Sequence, residues 1–438
     1  MKSISLRKSN AFVLIFSLLG LLYLVAYTSM VRRPKSDVVE IHFADRITEA
    51  HRALIDRYNA LHAGKIKVIP IDFPNLDFST NERKEILARS LRGEGDGIDL
   101  LAVDIIWVQR FAKWCEPLGK YFSEQELKRI LPDALYTCYN DGELVALPLD
   151  VAIGVLYYRE DLLKNVAGGD KIIRQLQGDM TWPDFLALRR KLGGKQPFYI
   201  FPGAEYEGMI CVYIENLLSL KPDYFATYGF NFDTPEAKKV LQLMVDLVHK
   251  DGATPEDVCN FTEVPSYEYY VRNDGYFIRG WNTYDKDFKQ SPYDARKEDQ
   301  LRKAPLPYFP GGKPAAVYGG WDIMVSRFSK KKDAVVDFVK FLLSDEAQES
   351  FYTRSSYFPV TSSFYADSAN ALKYPELETI KRLMTTGVHR PVATDYTNYS
   401  KIMAHYFVLA LRNKITVEQA VKSVTRAIQS APTSVVAG

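Results

Sequence analysis

Short β-branched runs alternate with helix-periodic segments once the chain passes residue 37, and this alternation limits the fold more than any other feature. Residues 38–43 (VVEIHF), 66–73 (IKVIPIDF) and 98–103 (IDLLAV) read as strands. Between the first two, Ala50, Leu54, Tyr58 and Leu61 recur at helical spacing, and 82–91 carries a second helical pattern. Strands and helices taking turns in this way predict an α/β fold, an open sheet with helices on both faces. In such sheets ligands lie outside the carboxyl ends of the strands, where the loops converge.

Later segments repeat the theme. Thr234 reads as a helix cap with Pro235 at the first helical position, and Ala237, Leu241, Met244 and Val248 form the buried stripe. Thr181 with Asp184 makes a variant of the capping box. Ser344 opens another helix after Val335, Phe338, Val339 and Leu342 complete the stripe of the one before. A length of 438 residues favours two such units over one core. Two places mark the change between them. At 147–154 (LPLDVAIG) a strand runs into a second apolar stretch without a turn, and at 306–314 (LPYFPGGKP) the composition shifts to proline and glycine, a stiff connector with a flexible middle.

Charge and composition narrow the partners. With 56 basic and 54 acidic residues the formal charge is +2, so no field exists to gather a polyanion and nucleic acid is not an expected partner. Cys115, Cys138, Cys211 and Cys259 stand far apart without metal-ligand spacing, and the 6 histidines add no pair. The thiols therefore read as buried apolar residues, and neither a metal nor a cofactor is expected. Residues 11–30 (AFVLIFSLLGLLYLVAYTSM) are uncharged and match the roughly 20 apolar residues that cross a bilayer as a helix. Cleavage-site residues near Ala26 are poor and Arg32-Arg33 follow at once, so 1–37 reads as a retained signal anchor with a linker, with secretion after cleavage as the alternative. Basic residues on both sides leave its orientation open.

Signatures of catalysis are missing. The chain has no GxSxG, no HExxH and no GxGxxG after a strand, and 93–97 (GEGDG) lacks the Gly-Lys-Ser/Thr that grips phosphates. Ser329 and Lys332 match SxxK without its companion motifs. No enzyme is expected from these motifs, although the 54 acidic residues allow paired carboxylates.

Taken in order, several segments resemble one family. They are 98–104 (IDLLAVD) followed by Trp107, 146–149 (ALPL) running to 156–162 (LYYREDL), 181–185 (TWPDF), 232–237 (FDTPEA), 319–321 (GGW) and 338–348 (FVKFLLSDEAQ). In this arrangement the chain resembles the extracellular solute-binding proteins of bacterial ABC importers, in the sugar-binding branch that includes maltose- and trehalose-binding proteins. The resemblance implies a two-lobed periplasmic-binding-protein fold whose lobes are joined by crossover hinge strands and close on the ligand. Carried onto this chain, the N-terminal lobe would span 38–150 plus 312–360, and the C-terminal lobe 151–311 plus 361–433. It further implies a monomer working outside the cytoplasm, with a carbohydrate ligand and ABC permease subunits as partners.

A pyranose presents a face of C–H groups and an edge of hydroxyls, so a sugar cleft needs flat rings for the face and charged or amide groups for the edge. Trp321 supplies such a ring at the mouth of a strand, after Gly319-Gly320, which would let the backbone come close to the ligand. Trp281 follows a glycine after another strand and resembles the family's main stacking residue, and Tyr206 stands where the family often has an aromatic. Asp104 ends one strand, Asp45 and Arg46 end another, and each aspartate is also a good helix cap. Asp150 lies at the expected hinge, Trp107 on a helix beside Phe111, and Arg390 in an HRPV segment resembles an arginine used on ligand hydroxyls. Asn282 and Asp322, each following one of the two tryptophans, complete the set. Two alternatives accompany this reading. One is a ferric-iron or other small-solute binder of the same fold, with Tyr267, Tyr269 and Tyr270 as phenolate donors, and the other is a membrane-anchored glycoside hydrolase.

Overall fold

The computed structural model describes residues 20–21, 38–74, 80–178, 180–193, 196–287, 295–393 and 395–431. Its strands in chain order are β1 (Val39–Asp45), β2 (Ile66–Asp72), β3 (Leu100–Asp104), β4 (Tyr139–Asn140), β5 (Glu143–Leu144), β6 (Leu147–Pro148), β7 (Ala152–Arg159), β8 (Tyr199–Ile200), β9 (Phe277–Trp281), β10 (Leu301–Ala304), β11 (Ala316–Gly319), β12 (Trp321–Val325) and β13 (Gly387–Val388). They form two separate main sheets. The first has the order β2-β1-β3-β12-β6, the second β13-β11-β7-β9-β8 with β10 also on β7, and β4 and β5 make a hairpin. In the first sheet β1 is parallel to both β2 and β3, as alternating strands and helices require, while β12 returns antiparallel beside β3.

Helix signals read from the sequence fall where expected. Thr234 accepts from the Ala237 amide at 3.2 Å at the start of helix Pro235–His249, and Ala237, Leu241, Met244 and Val248 are buried. Thr181 caps helix Trp182–Leu192, and Ser344 caps helix Asp345–Ser355 through the Ala347 amide at 3.3 Å. Helix Glu49–Leu61 buries Ala50, Leu54 and Tyr58, whereas Leu61 is 62% exposed. That residue is the last of the helix. All four cysteines are buried and free.

The chain passes between the sheets at three points. β6 and β7 lie in different sheets, joined by Leu149, Asp150 and Val151. Val151 bridges Phe358 in a second crossing segment. The third crossing is at Gly320, between β11 in the second sheet and β12 in the first. The start of the first lobe's second segment, expected at 312, therefore does not coincide with the change of sheet. The proline-glycine stretch at 306–314 lies between β10 and β11, both in the second sheet, and β11 still pairs with β7 through Tyr318 and Gly319. Among the described residues no helix is long and apolar enough to cross a membrane, and the anchor expected over 11–30 lies, apart from residues 20–21, outside them.

Candidate functional site

Between the two sheets opens a cleft of about 740 Å³, bounded by the carboxyl ends of β3 and β9 and by the Gly319–Trp321 crossing. Of the residues expected from the sequence, Arg46, Asp104, Trp107, Asp150, Tyr206, Trp281, Trp321 and Arg390 line it. Trp281 from the second sheet and Trp321 from the first are both half-buried, so neither indole is sealed in a core. Trp107 is 2% exposed and meets Trp321 edge to face, with ring centroids 6.4 Å apart at 78°.

The glycine pair before Trp321 serves the protein's own parts. A Cβ at Gly319 would stand 2.8 Å from the Trp281 ring, so the strand is bare where that indole lies against it. Gly320 has φ +119, and a Cβ there would come within 2.5 Å of the Asp150 carbonyl oxygen. Two crossing strands thus pass in contact, and the Trp321 amide donates to Asp150 Oδ1 at 2.9 Å. Burial pushes the Asp150 carboxyl well above the usual range, with the nearby charges of Asp45 and Asp322 adding to it and Arg46 and the Trp321 amide opposing.

Charged groups knit the cleft floor. Asp104 Oδ1 accepts from the Ile106 amide at 3.1 Å, capping the short 3-10 helix Ile105–Trp107, and also receives Arg390 Nη2 at 3.1 Å. The second Arg390 nitrogen donates to Glu207 Oε1 at 2.9 Å. Glu207 begins helix Glu207–Leu220 and accepts in addition from the Tyr396 hydroxyl at 2.8 Å and from Ser400. Arg390 therefore ties a carboxylate at the end of a first-sheet strand to one in the helical layer of the second. Arg46 Nη2 donates to the Tyr357 hydroxyl at 2.9 Å. Burial raises the Glu263 carboxyl, which meets Tyr206 and Trp281 at the other end of the cleft.

Three expected residues stand behind the cleft wall. Asp45 is 3% exposed and its carboxylate is taken up by Arg83 at 2.7 Å, His51 at 3.1 Å and the Arg46 amide at 2.6 Å. Burial alone would raise it, but His51 and Arg83 outweigh that and hold it below the usual carboxylate range. Asn282 is fully buried, accepting from the Ile153 amide at 2.8 Å and donating to the Ser356 carbonyl at 2.9 Å, so its amide is spent joining strands. Asp322 points away from Trp321 as strand alternation demands. It is fully buried, accepts from the Thr137 hydroxyl at 2.9 Å, and burial pushes its carboxyl up to about 7.

Sequence reasoning missed Glu205, Glu207, Glu263, Tyr357, Ser400 and Lys401, which also line the cleft. Glu205-Tyr206-Glu207 carried a signal, two acids around an aromatic at a helix start; Ser400 and Lys401, inside helix Tyr396–Leu411, carried none. The tyrosines considered for iron do not face the cleft. Tyr267 donates to Glu298 at 3.3 Å and Tyr270 to the Tyr276 carbonyl at 3.4 Å, both buried, while Tyr269 packs on Phe261. Burial raises all three phenols, which opposes the phenolate an iron ligand needs.

Two lobes around a cleft with an indole from each define a solute-binding protein. The chain belongs to the family of bacterial extracellular solute-binding proteins, whose pattern it matches over residues 44–349. That is a family of binding proteins that work outside the cytoplasm. A probable ABC transporter-binding protein of Deinococcus radiodurans is 26% identical over 333 residues, covering 74% of this chain and 76% of that one. MalE3 of T. maritima, solved with maltose bound, is similar with a TM-score of 0.78 and 26% identity over 89% of this chain and 99% of its own. An ABC transporter solute-binding protein of Thermotoga lettingae, bound with α-D-tagatose, shares the fold with a TM-score of 0.75 at 20% identity, covering 90% and 99%.

Proposed function

We propose that this protein captures a sugar or oligosaccharide outside the cytoplasm and delivers it to an ABC permease, held at the membrane by its N-terminal apolar segment and acting as a monomer. The observation that carries this reading is the pair of half-buried indoles, Trp281 and Trp321, one from each sheet, on one cleft of about 740 Å³. Flat rings suit the C–H face of a pyranose, and the carboxylates, Arg46 and Arg390 beside them suit its hydroxyl edge. The N-terminal lobe is assigned 38–150 with 320–360, and the C-terminal lobe 151–319 with 361–431. A ligand that touches both lobes favours the shut form over the open one, which is the signal a permease can read. Maltose bound to the T. maritima relative supports a glucoside as the first ligand to try.

Thermal melting of residues 36–438 against mono- and disaccharides tests the reading. A sugar at one hundred times its Kd stabilises by about 2.7 kcal/mol, a clear rise in Tm. No stabilisation by any sugar at millimolar concentration defeats the proposal, and release of reducing ends from an oligosaccharide would replace it by hydrolysis.

A further inference from the structure

Behind each indole lies a buried guanidinium. The Arg83 guanidinium carbon is 4.0 Å from a Trp321 ring centroid, and that of Arg279 is 4.2 Å from a Trp281 ring centroid. Both are well inside the roughly 6 Å reach of a cation–π contact. The two arginines arrive by different routes. Arg83 comes from helix Thr80–Arg92, whereas Arg279 stands on β9 itself, two residues before Trp281 and so on the same face of the strand.

Each guanidinium is also held by a carboxylate. Arg83 Nη2 donates to Asp45 Oδ1 at 2.7 Å, and Asp45 is itself held by His51. Arg279 grips Glu215 with two bonds, Nη2 to Oε1 at 2.6 Å and Nε to Oε2 at 3.1 Å. Neither arginine lines the cleft, and both are 1% exposed or less. Arg83 Nε and Arg279 Nη1 find no hydrogen-bond partner among the described residues. Trp182, a tryptophan of the core, is instead packed between Phe185 and Tyr199.

We propose that Arg83 and Arg279 are positioning residues for ligand stacking: each holds its indole in one plane from behind, so that both platforms are rigid before a ligand arrives. The inference rests on the sugar reading for what occupies the front of the rings. A carboxylate-clamped guanidinium has already lost its rotamer freedom on folding, and a ring seated on it loses little more on binding. Two lobes of different topology reach the same set of ring, guanidinium and carboxylate, and in both the ring is the member that lines the cleft.

The test uses the full chain with its 5 tryptophans labelled with nitrogen-15 at the indole, the two signals assigned with Trp281→Phe and Trp321→Phe. Arg83→Lys and Arg279→Lys keep the charge and the ion pair but lose the flat fork. Expected is a shift and broadening of the Trp321 signal alone in Arg83→Lys and of the Trp281 signal alone in Arg279→Lys, with maltose bound about threefold to tenfold more weakly. The double variants Asp45→Asn/Arg83→Met and Glu215→Gln/Arg279→Met remove both members of each arginine–carboxylate pair and should broaden the same signals further. Sharp, unshifted indole signals in the lysine and the double variants overturn the proposal. Unchanged maltose affinity despite broadened rings overturns it as well. Should maltose not bind the unaltered protein, the sugar reading loses support while the ring signals still decide the positioning role.

Discussion

On the proposed reading, Trp281 and Trp321 each do two things, covering the edge of a core and leaving a surface for a guest. Replacing either by alanine should weaken sugar binding at least tenfold, about 1.4 kcal/mol, as measured by calorimetry, while unaltered affinity in both would move the binding surface elsewhere. Asp322 carries a different kind of prediction. Its carboxyl titrates at about 7 in the fold against a usual 3.8, so the folded state holds the proton more tightly than the unfolded one. The sign follows: the contribution of Asp322 to stability is full below pH 4 and is lost as pH rises through 7. Asp322→Asn removes that loss. The variant should exceed the parent by on the order of 4 kcal/mol at pH 8 and show no advantage at pH 4, as read from urea unfolding at the two pH values.

At the scale of elements, the crossing at Gly320 is one of the three that join the lobes. Its positive φ and the Asp150 carbonyl against it exclude a side chain. Gly320→Ala should cost about 1–3 kcal/mol from the backbone conformation alone, and a melting curve as high as the parent's would show that the crossing relaxes freely. The helices are more forgiving. Loss of the Thr234 cap in Thr234→Ala should cost about 1 kcal/mol, a small fall in Tm with the cleft intact and ligand affinity retained.

For the whole molecule, the ion bridge from Asp104 through Arg390 to Glu207 runs along the cleft floor from the end of a first-sheet strand to a helix of the second lobe. Arg390 is 4% exposed, and removing its charge leaves two part-buried carboxylates without their counter-ion. Arg390→Met should destabilise by about 3 kcal/mol and open the ligand-free protein, seen as a larger radius of gyration in small-angle scattering. A scattering curve superimposable on the parent's would show that the bridge does not hold the lobes together.

Much of the element pattern was legible in residues 38–103 and in the caps at Thr181, Thr234 and Ser344, because strand alternation, helical periodicity and capping are local and repeat within a few residues. The aromatic half of the site was legible too, since a tryptophan beside glycine at a strand end is a local signal. What the sequence by itself determined was therefore the α/β class, the two units and the rings of the cleft. Tertiary structure alone decided which polar residues face it. Asp45, Asn282 and Asp322 look like ligand groups in one dimension, but each is consumed by a partner far along the chain: Arg83, Ser356 and Thr137. Glu263 and Lys401 reach the cleft only because distant helices pack beside it. The physical reason is that a hydrogen bond is satisfied by whatever lies within about 3 Å, and for a buried carboxylate or amide that neighbour is set by the packing of the whole fold.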